Sequence, residues 1–278
     1  MTVPRTKTAV RAFLGAHGLT PRRLRGQCFL VDGNLIDFIA RTAELETGDS
    51  VLEVGTGTGI LTDALADRAG RVLSCDVDSR LQAIAKAART WPDSVTFVHA
   101  DILAGKHLLN DEVIKPWISG GGRLRVVSNL PYSIATPFLA NLLWDGIDVA
   151  DALVLVQKEA AQRFVAEVGS KDYWPMAIAV ALLAEARIVR DVGPQVFWPQ
   201  PNVQSALLQL RVKAPARARE LKSGGLPEML AKAFAHRRKT LRNNLDARLL
   251  EAAGIDPGAR PQDVAPDAWL RLLTVPPA

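Results

Sequence analysis

Residues 50–60 read Ser50-Val51-Leu52-Glu53-Val54-Gly55-Thr56-Gly57-Thr58-Gly59-Ile60. A short apolar run, Ser50–Val54, meets three glycines at alternate positions, and a helical pattern, Ile60–Arg68, follows. Glycine adopts the positive φ of a sharp turn without steric cost and lets a ligand approach the main chain. The helix beyond points its unpaired N–H groups at that ligand. The stretch therefore reads as strand, turn and helix N-terminus built around a nucleoside-type ligand. Asp76 ends the next apolar run, Arg71–Cys75, where a carboxylate accepts hydrogen bonds from ribose hydroxyls. These features suit a dinucleotide and an S-adenosyl cofactor equally.

Outward from this stretch, helical and strand patterns alternate. Leu35–Leu45 reads as a helix with Asn34 as its N-cap, Ser79–Arg89 as an Ala-rich helix, and Val95–Val98 as a strand ending at Asp101. Ile114–Gly122, with Pro116 and a glycine triplet, reads as a loop. Arg123–Val127 is a strand ending at Asn129, Phe138–Leu143 a helix and Leu153–Val156 a strand. Such alternation predicts an α/β protein with a mostly parallel, doubly wound, Rossmann-like sheet. After two further helices, Lys158–Glu167 and Met176–Ala186, the runs Ile188–Val192 and Val203–Val212 are expected to form an antiparallel edge hairpin. Ala214–Gly225 reads as a linker, Pro227–Leu250 as helical and Pro266–Leu273 as a last short helix. The expected organisation is a basic, flexible arm over 1–25, a Rossmann-like domain over 26–213 and a small all-helical domain over 214–278.

Three acids, Glu53, Asp76 and Asp101, fall at strand ends, where open α/β sheets bind ligands. Three carboxylates suit a cationic ligand without pyrophosphate, such as S-adenosylmethionine, better than a pyrophosphate. The fourth strand ends in Asn129-Leu130-Pro131-Tyr132. This is the pattern expected of a site that methylates an amino group on an aromatic ring. That nitrogen is a poor nucleophile, because its lone pair is delocalised. Neutral acceptors must take its hydrogens so that the lone pair turns toward a methyl group. The Asn129 side-chain carbonyl and the Leu130 main-chain carbonyl are such acceptors. Pro131 stiffens the turn, and Tyr132 offers a face for an unstacked base. A simple Pro-Tyr turn closing a strand explains the tetrapeptide alone, but not together with the glycine turn and the acids.

With these residues in hand, the chain resembles the ribosomal RNA small-subunit adenine N6,N6-dimethyltransferase family from about residue 22 to residue 250. The resemblance is carried by Gly26–Asp32, Glu53–Gly59, Asp76, Asp101-Ile102, Asn129–Tyr132, Gln157–Glu159, Phe197–Pro201 and Arg237–Leu245. It implies dimethylation, from S-adenosylmethionine, of two adjacent adenosines in a hairpin near the 3′ end of small-subunit rRNA during ribosome biogenesis. It also implies a methyltransferase core with a small helical domain, acting as a monomer on a precursor small-subunit particle. Carried over residue by residue, Gln27, Cys28, Leu30, Glu53, Gly55, Gly57, Asp76, Asp101, Ile102 and Asn129 face the cofactor, and Asn129–Tyr132 carry the chemistry. The chain departs from the family pattern at Cys28, where Asn is usual, and at Trp174, Asn202 and Gln204. The Cys28 thiol reads as a buried small hydrophobe. Trp198 has two readings, stacking near the target base or packing in the core.

The chain has 278 residues, is 48% hydrophobic and 23% charged, and carries two cysteines, which excludes wholesale disorder and a disulfide framework. No metal site is predicted. The longest uncharged apolar run, Met176–Ala184, is too short for a bilayer, and a cytoplasmic location is expected. The net charge is +5, and residues 1–26 hold six basic residues and no acid, so that arm carries the whole surplus. It runs straight into Gly26–Asp32, which argues for an RNA-contacting arm (Arg22, Arg23, Arg25) over a cleaved targeting peptide. A second cluster includes Arg237, Arg238, Lys239 and Arg242, with Arg238 and Arg242 expected on one helical face opposite RNA phosphates. The competing functions are a large-subunit rRNA adenine methyltransferase of the antibiotic-resistance type, a catalytically idle RNA-binding or transcription factor on the same fold, and a nicotinamide dehydrogenase. Leu130 and Arg237–Leu245 weigh against the first and the intact Asn129, Asp76 and Asp101 against the second. The third leaves Asn129–Tyr132 without a role.

Overall fold

The computed structural model describes residues 3–21 and 27–275. Arg22, Arg23 and Arg25 lie outside the described residues. In chain order the elements begin α1 (Lys7–Ala16), β1 (Phe29–Leu30), α2 (Gly33–Thr42), β2 (Asp49–Val54), α3 (Ile60–Ala66), β3 (Arg71–Asp76), α4 (Ser79–Ala87) and β4 (Val95–His99). A small hairpin follows, β5 (Leu103–Gly105) and β6 (Leu108–Leu109), then α5 (Asp111–Ser119), β7 (Arg123–Asn129), α6 (Tyr132–Trp144), β8 (Val149–Gln157) and α7 (Lys158–Phe164). The chain continues through α8 (Pro175–Leu183), β9 (Ala184–Val192), β10 (Phe197–Trp198), β11 (Ser205–Val212), α9 (Pro215–Ser223), α10 (Leu226–Phe234), α11 (Ala247–Ala252) and α12 (Pro266–Thr274).

Seven strands form one sheet in the order β4-β3-β2-β7-β8-β11-β9. Neighbours from β4 to β8 are parallel, and β11 runs antiparallel to β8. β2 is buried along its length, as a central parallel strand covered on both faces must be. The strand order reverses beside β2, with β3 on one side and β7 on the other. A crevice opens at such a point, beyond the carboxyl ends of the strands. β9 and β11 are neighbours at one edge, where the sequence reading puts its hairpin. No helix of the described residues is long and apolar enough to cross a membrane.

The chain divides into two compact units. One comprises Met1–Leu139, Val149–Ala160 and Ile188–Leu210, the other Ala140–Asp148, Ala161–Arg187 and Arg211–Ala278. The second unit thus takes in two segments upstream of residue 213.

Several expectations are corrected. The N-cap of α2 is Asp32, whose Oδ1 accepts from Leu35 N at 2.9 Å, and not Asn34. Residues 114–119 belong to α5 and are not loop. Asn110 caps that helix, and Val113, Ile114 and Trp117 bury one face, which offsets the roughly 3 kcal/mol cost of an interior proline. Within 214–225, α9 replaces the linker. Pro215 sits where a missing N–H costs nothing, Ala218 is fully buried and Lys222 pairs with Asp145. Residues 3–21 are not a flexible arm. α1 is capped by Thr6 and buries Val10 and Leu14 against Phe29, Val31, Leu81 and Ile84. Arg5 pairs with Asp37 and Asp63, so its charge is met inside the protein.

The basic segment after α10 is also not one helix. The chain turns at 235–239 and makes a single 3₁₀ turn at Leu241–Asn243. Asn243 Nδ2 bonds back to Thr240, Asn244 Nδ2 bonds to Ala233 O, and Leu241 is buried. Such side-chain bonds compete with a helical main chain. Arg238 and Arg242 therefore share no helical face.

Candidate active site

Gly55, Gly57 and Gly59 have φ of 92°, 56° and 79°, values that side-chain-bearing residues rarely adopt. The turn is bound to β3, because Gly55 N donates to Cys75 O at 2.7 Å and Thr56 Oγ1 meets Ser74 Oγ at 2.6 Å. It also abuts the end of β7. A methyl group at Gly55 would stand 3.4 Å from the Pro131 ring and 3.5 Å from Asn129 O. Ser128 fixes this approach, its hydroxyl donating to Val54 O at 2.6 Å and accepting from Val54 N. The two motifs, far apart in the chain, are thus joined at adjacent strand ends.

All thirteen residues assigned to the cofactor and the chemistry line one cleft of about 410 Å³, which lies wholly in the first unit. Glu53, Gly55, Gly57, Asp76, Asp101 and Ile102 reach it from positions at or just beyond the ends of β2, β3 and β4, Gln27, Cys28 and Leu30 from around β1, and Asn129–Tyr132 from the end of β7. The three acids differ in state. Glu53 is fully buried and accepts from Thr62 Oγ1 at 2.5 Å, and burial raises its pKa to about 7. Asp76 accepts from Gly57 N at 3.0 Å and from Asp78 N at 2.8 Å. Burial still raises its pKa, against those two bonds. Asp101 is exposed and accepts from Leu103 N. Near neutral pH the negative charge therefore rests less on Glu53 than three equal carboxylates would suggest.

The Asn129 side chain makes no hydrogen bond among the described residues, which leaves its amide free for a substrate. Leu130 is buried, with its N–H on Leu155 O at 3.1 Å, so its carbonyl is held in a fixed frame. α6 begins directly at Tyr132, six residues before the predicted start, and its N-terminus faces the cleft. Tyr132 Oη bonds Ser205 Oγ at 2.7 Å, which tethers the half-buried ring at its hydroxyl end. A second cavity, about 440 Å³, is lined by Gln27, Cys28, Tyr132 and Pro199–Val203. Gln27, Cys28 and Tyr132 form a wall common to both cavities. Burial pushes the Cys28 thiol up, so it stays neutral. Trp198 packs with the α1 cluster and lines neither cavity, which decides between its two readings.

Sequence reasoning missed several lining residues. Val77, more than half exposed, follows Asp76 directly and lines the cleft together with buried Ile102, two apolar side chains suited to a purine ring. An apolar residue just after a strand-end acid was the available signal. Phe29, Leu81 and Phe197 join the cleft only through tertiary packing. The basic residues Arg237, Arg238, Lys239 and Arg242 lie in the second unit. The last three are exposed, and Arg237 donates to Lys171 O at 2.7 Å.

The donor set fits S-adenosylmethionine. A glycine cradle admits a close backbone approach, Asp76 keeps lone pairs for ribose hydroxyls, and Val77 and Ile102 give the cleft an apolar lining for a ring. The buried Thr58 Oγ1 in the same wall has no partner among the described residues. Fold and site together define an S-adenosylmethionine-dependent methyltransferase. The family model for ribosomal RNA adenine dimethylase matches residues 19–275. The chain is 33% identical over 279 residues to the ribosomal RNA small subunit methyltransferase A of Shouchella clausii, covering 96% of this chain and 93% of that one. It is 37% identical to the protein of that name from Ligilactobacillus salivarius, over 86% and 80% of the two chains. Among solved structures, a dimethyladenosine transferase from Plasmodium falciparum superposes with a TM-score of 0.69 at 22% identity, over 86% of this chain and 94% of that one. The 23S rRNA methyltransferase ErmE superposes at 0.60 and 27% identity, over 88% and 98%. The chain belongs to the ribosomal RNA adenine dimethylase family.

Proposed function

We propose that this protein dimethylates the N6 amino groups of two adjacent adenosines in a hairpin near the 3′ end of small-subunit rRNA, acting on a precursor small-subunit particle. The observation that carries the reading is the Asn129–Tyr132 strand end, pressed against the glycine turn on one side and bordering a second cavity on the other. S-adenosylmethionine, when bound, supplies the electrophilic methyl group. Asn129 Oδ1 and the Leu130 carbonyl accept the two N6 hydrogens and hold the nitrogen lone pair toward the cleft. Pro131 fixes the aim of that carbonyl, and the Tyr132 ring carries the flipped base on the side of the second cavity. Asp76 takes the ribose, Asp101 the adenine ring, and Cys28 and Leu30 flank the methionine end, with Gln27 also facing the cofactor. Catalysis is positioning for in-line transfer with dipolar stabilisation by fixed acceptors.

Residues 214–278 supply the RNA-binding part through Arg237, Arg238, Lys239 and Arg242, and Arg22, Arg23 and Arg25, just ahead of Gly26, add further contacts. The protein works as a cytoplasmic monomer in ribosome biogenesis. The test is incubation with labelled S-adenosylmethionine and under-methylated small or large ribosomal subunits, followed by mapping of the modified base. Label on two adjacent small-subunit adenosines supports the reading. Label on large-subunit RNA alone overturns it in favour of the resistance-type activity, and RNA binding without transfer overturns it in favour of an idle binding protein.

A further inference from the structure

The second unit contains an aromatic cluster whose outer member carries two cations. Phe234 is its hub, with ring centroids 6.4 Å from Tyr173, 6.2 Å from Trp174 and 6.1 Å from Trp269. Tyr173, Phe234 and Trp269 are buried, and Tyr173 Oη donates to Val264 O at 3.1 Å. Trp174, at the N-cap position of α8, is partly exposed. Its indole is thus tied to the buried cluster through Phe234. Over it lie the guanidinium groups of Arg237, 4.8 Å from the ring centroid, and Arg163, 5.4 Å away.

Both contacts fall in the cation–π range, and each costs the arginine some of its rotamer freedom before any ligand arrives. Arg237 is fixed further by its bond to Lys171 O. The two guanidinium carbons lie within about 10 Å of each other, no more than the Debye length at 0.1 M salt, so each feels the other's charge. Among the described residues neither arginine forms an ion pair. Arg238 and Lys239, both exposed, extend the charge along the turn. Two guanidinium groups without carboxylate partners on one indole make a local positive field that favours an anion, and phosphate is the anion whose oxygens match the guanidinium fork. The indole is already engaged by Phe234 and the arginines, so the complement is a backbone phosphate and not a stacked base.

We propose that Trp174 holds Arg163 and Arg237 as a paired guanidinium site for the phosphodiester backbone of the RNA substrate. This rests on the RNA-substrate reading above and adds to it Arg163, a ligand from outside residues 214–278, and Trp174 as a positioning residue. Arg163 sits on α7 and Arg237 after α10, so the pair grips phosphates from two parts of the unit.

The experiment is a titration of the full chain with small-subunit rRNA across a salt series, with methyl transfer followed in parallel. Arg163→Gln, an exposed change, is expected to lower the slope of log K against log salt by about 0.7–0.9, the value for one lost phosphate contact. It should weaken binding several-fold and raise KM for RNA, with kcat at saturating RNA unchanged. Trp174→Ala should lower the slope at least as much, and Trp174→Phe, which keeps a ring for the arginines, should restore most of it. Unchanged cofactor affinity by calorimetry certifies the fold of each variant. A slope identical to wild type in both Arg163→Gln and Trp174→Ala overturns the site. Failure of the wild-type protein to methylate small-subunit RNA overturns the functional reading instead, and the binding slope decides the guanidinium pair in either case.

Discussion

The cleft at the ends of β2 and β7 and the basic segment after α10 hold their functional groups in opposite ways. In the cleft the working atoms are main-chain groups or short side chains fixed by sheet register, as with Gly55 against Pro131 and Leu130 on Leu155. In the basic segment they are long exposed side chains on turns, tethered at most to an indole or one carbonyl. The first arrangement gives geometry good to fractions of an ångström and fails abruptly when one atom is removed. The second gives charge density, tolerates loss by degrees and responds to salt. A methyltransferase for a large RNA needs both, because the chemistry is local and the substrate is not.

Four changes sharpen or break this contrast. Asn129→Ala should have the largest effect, a fall of about 10²–10³ in single-turnover methyl transfer, by analogy with loss of one fixed dipole at a reacting group. RNA affinity should stay within about twofold, as no phosphate contact is lost. Unaltered turnover would show that the amino hydrogens are held elsewhere. Leu14→Ala should cost about 2–5 kcal/mol in denaturant unfolding, as a buried leucine in a packed core does. An unchanged midpoint would return α1 to the class of loose arms.

Glu53→Gln tests burial within the cleft. Its folded pKa, about 7, lies above the unfolded value of 4.5, so folding favours the protonated form. The contribution to stability is full below pH 4.5 and is lost as pH rises to about 7. Thermal melts of wild type should show this decline and those of the variant should not, the difference reaching roughly 3 kcal/mol at most. Parallel profiles would mean that Glu53 is paired more strongly than its bonds from the Ser74 and Thr62 hydroxyls suggest. The smallest effect is expected for exposed Arg238→Ala, a loss of less than about tenfold in RNA affinity with the salt slope reduced by about 0.7–0.9 and kcat intact. A larger loss, insensitive to salt, would place Arg238 in a structural role.

The contrast also governs what could be read in advance. The strand–turn–helix at 50–60 and the acids at 76 and 101 were legible because each is a local pattern. The strand end at Asn129–Tyr132 was legible because the chemistry demands particular atoms. Proline and glycine misled where tertiary burial overruled them at Pro116 inside α5, and the basic, glycine-containing run without apolar periodicity at 214–225 hid α9. The run Arg237–Leu245 reads as helix by composition. Its true form depends on Thr240 and Asn243 bonding locally and on main-chain bonds from Leu241 and Arg242 to residues 259 and 257. The second cavity draws on residues 27–28, 132 and 199–203, and no periodicity connects those segments.

The pair of hydrogen bonds between the Ser128 hydroxyl and Val54 has one more consequence. It makes the spacing between the glycine turn and Asn129 a single interstrand step, about 4.8 Å, and not the sum of the loops between them. Thermal motion of the sheet then carries both ends together. A displacement of the sheet as a whole therefore leaves their separation unchanged, which is what two motifs that must act on one methyl group require.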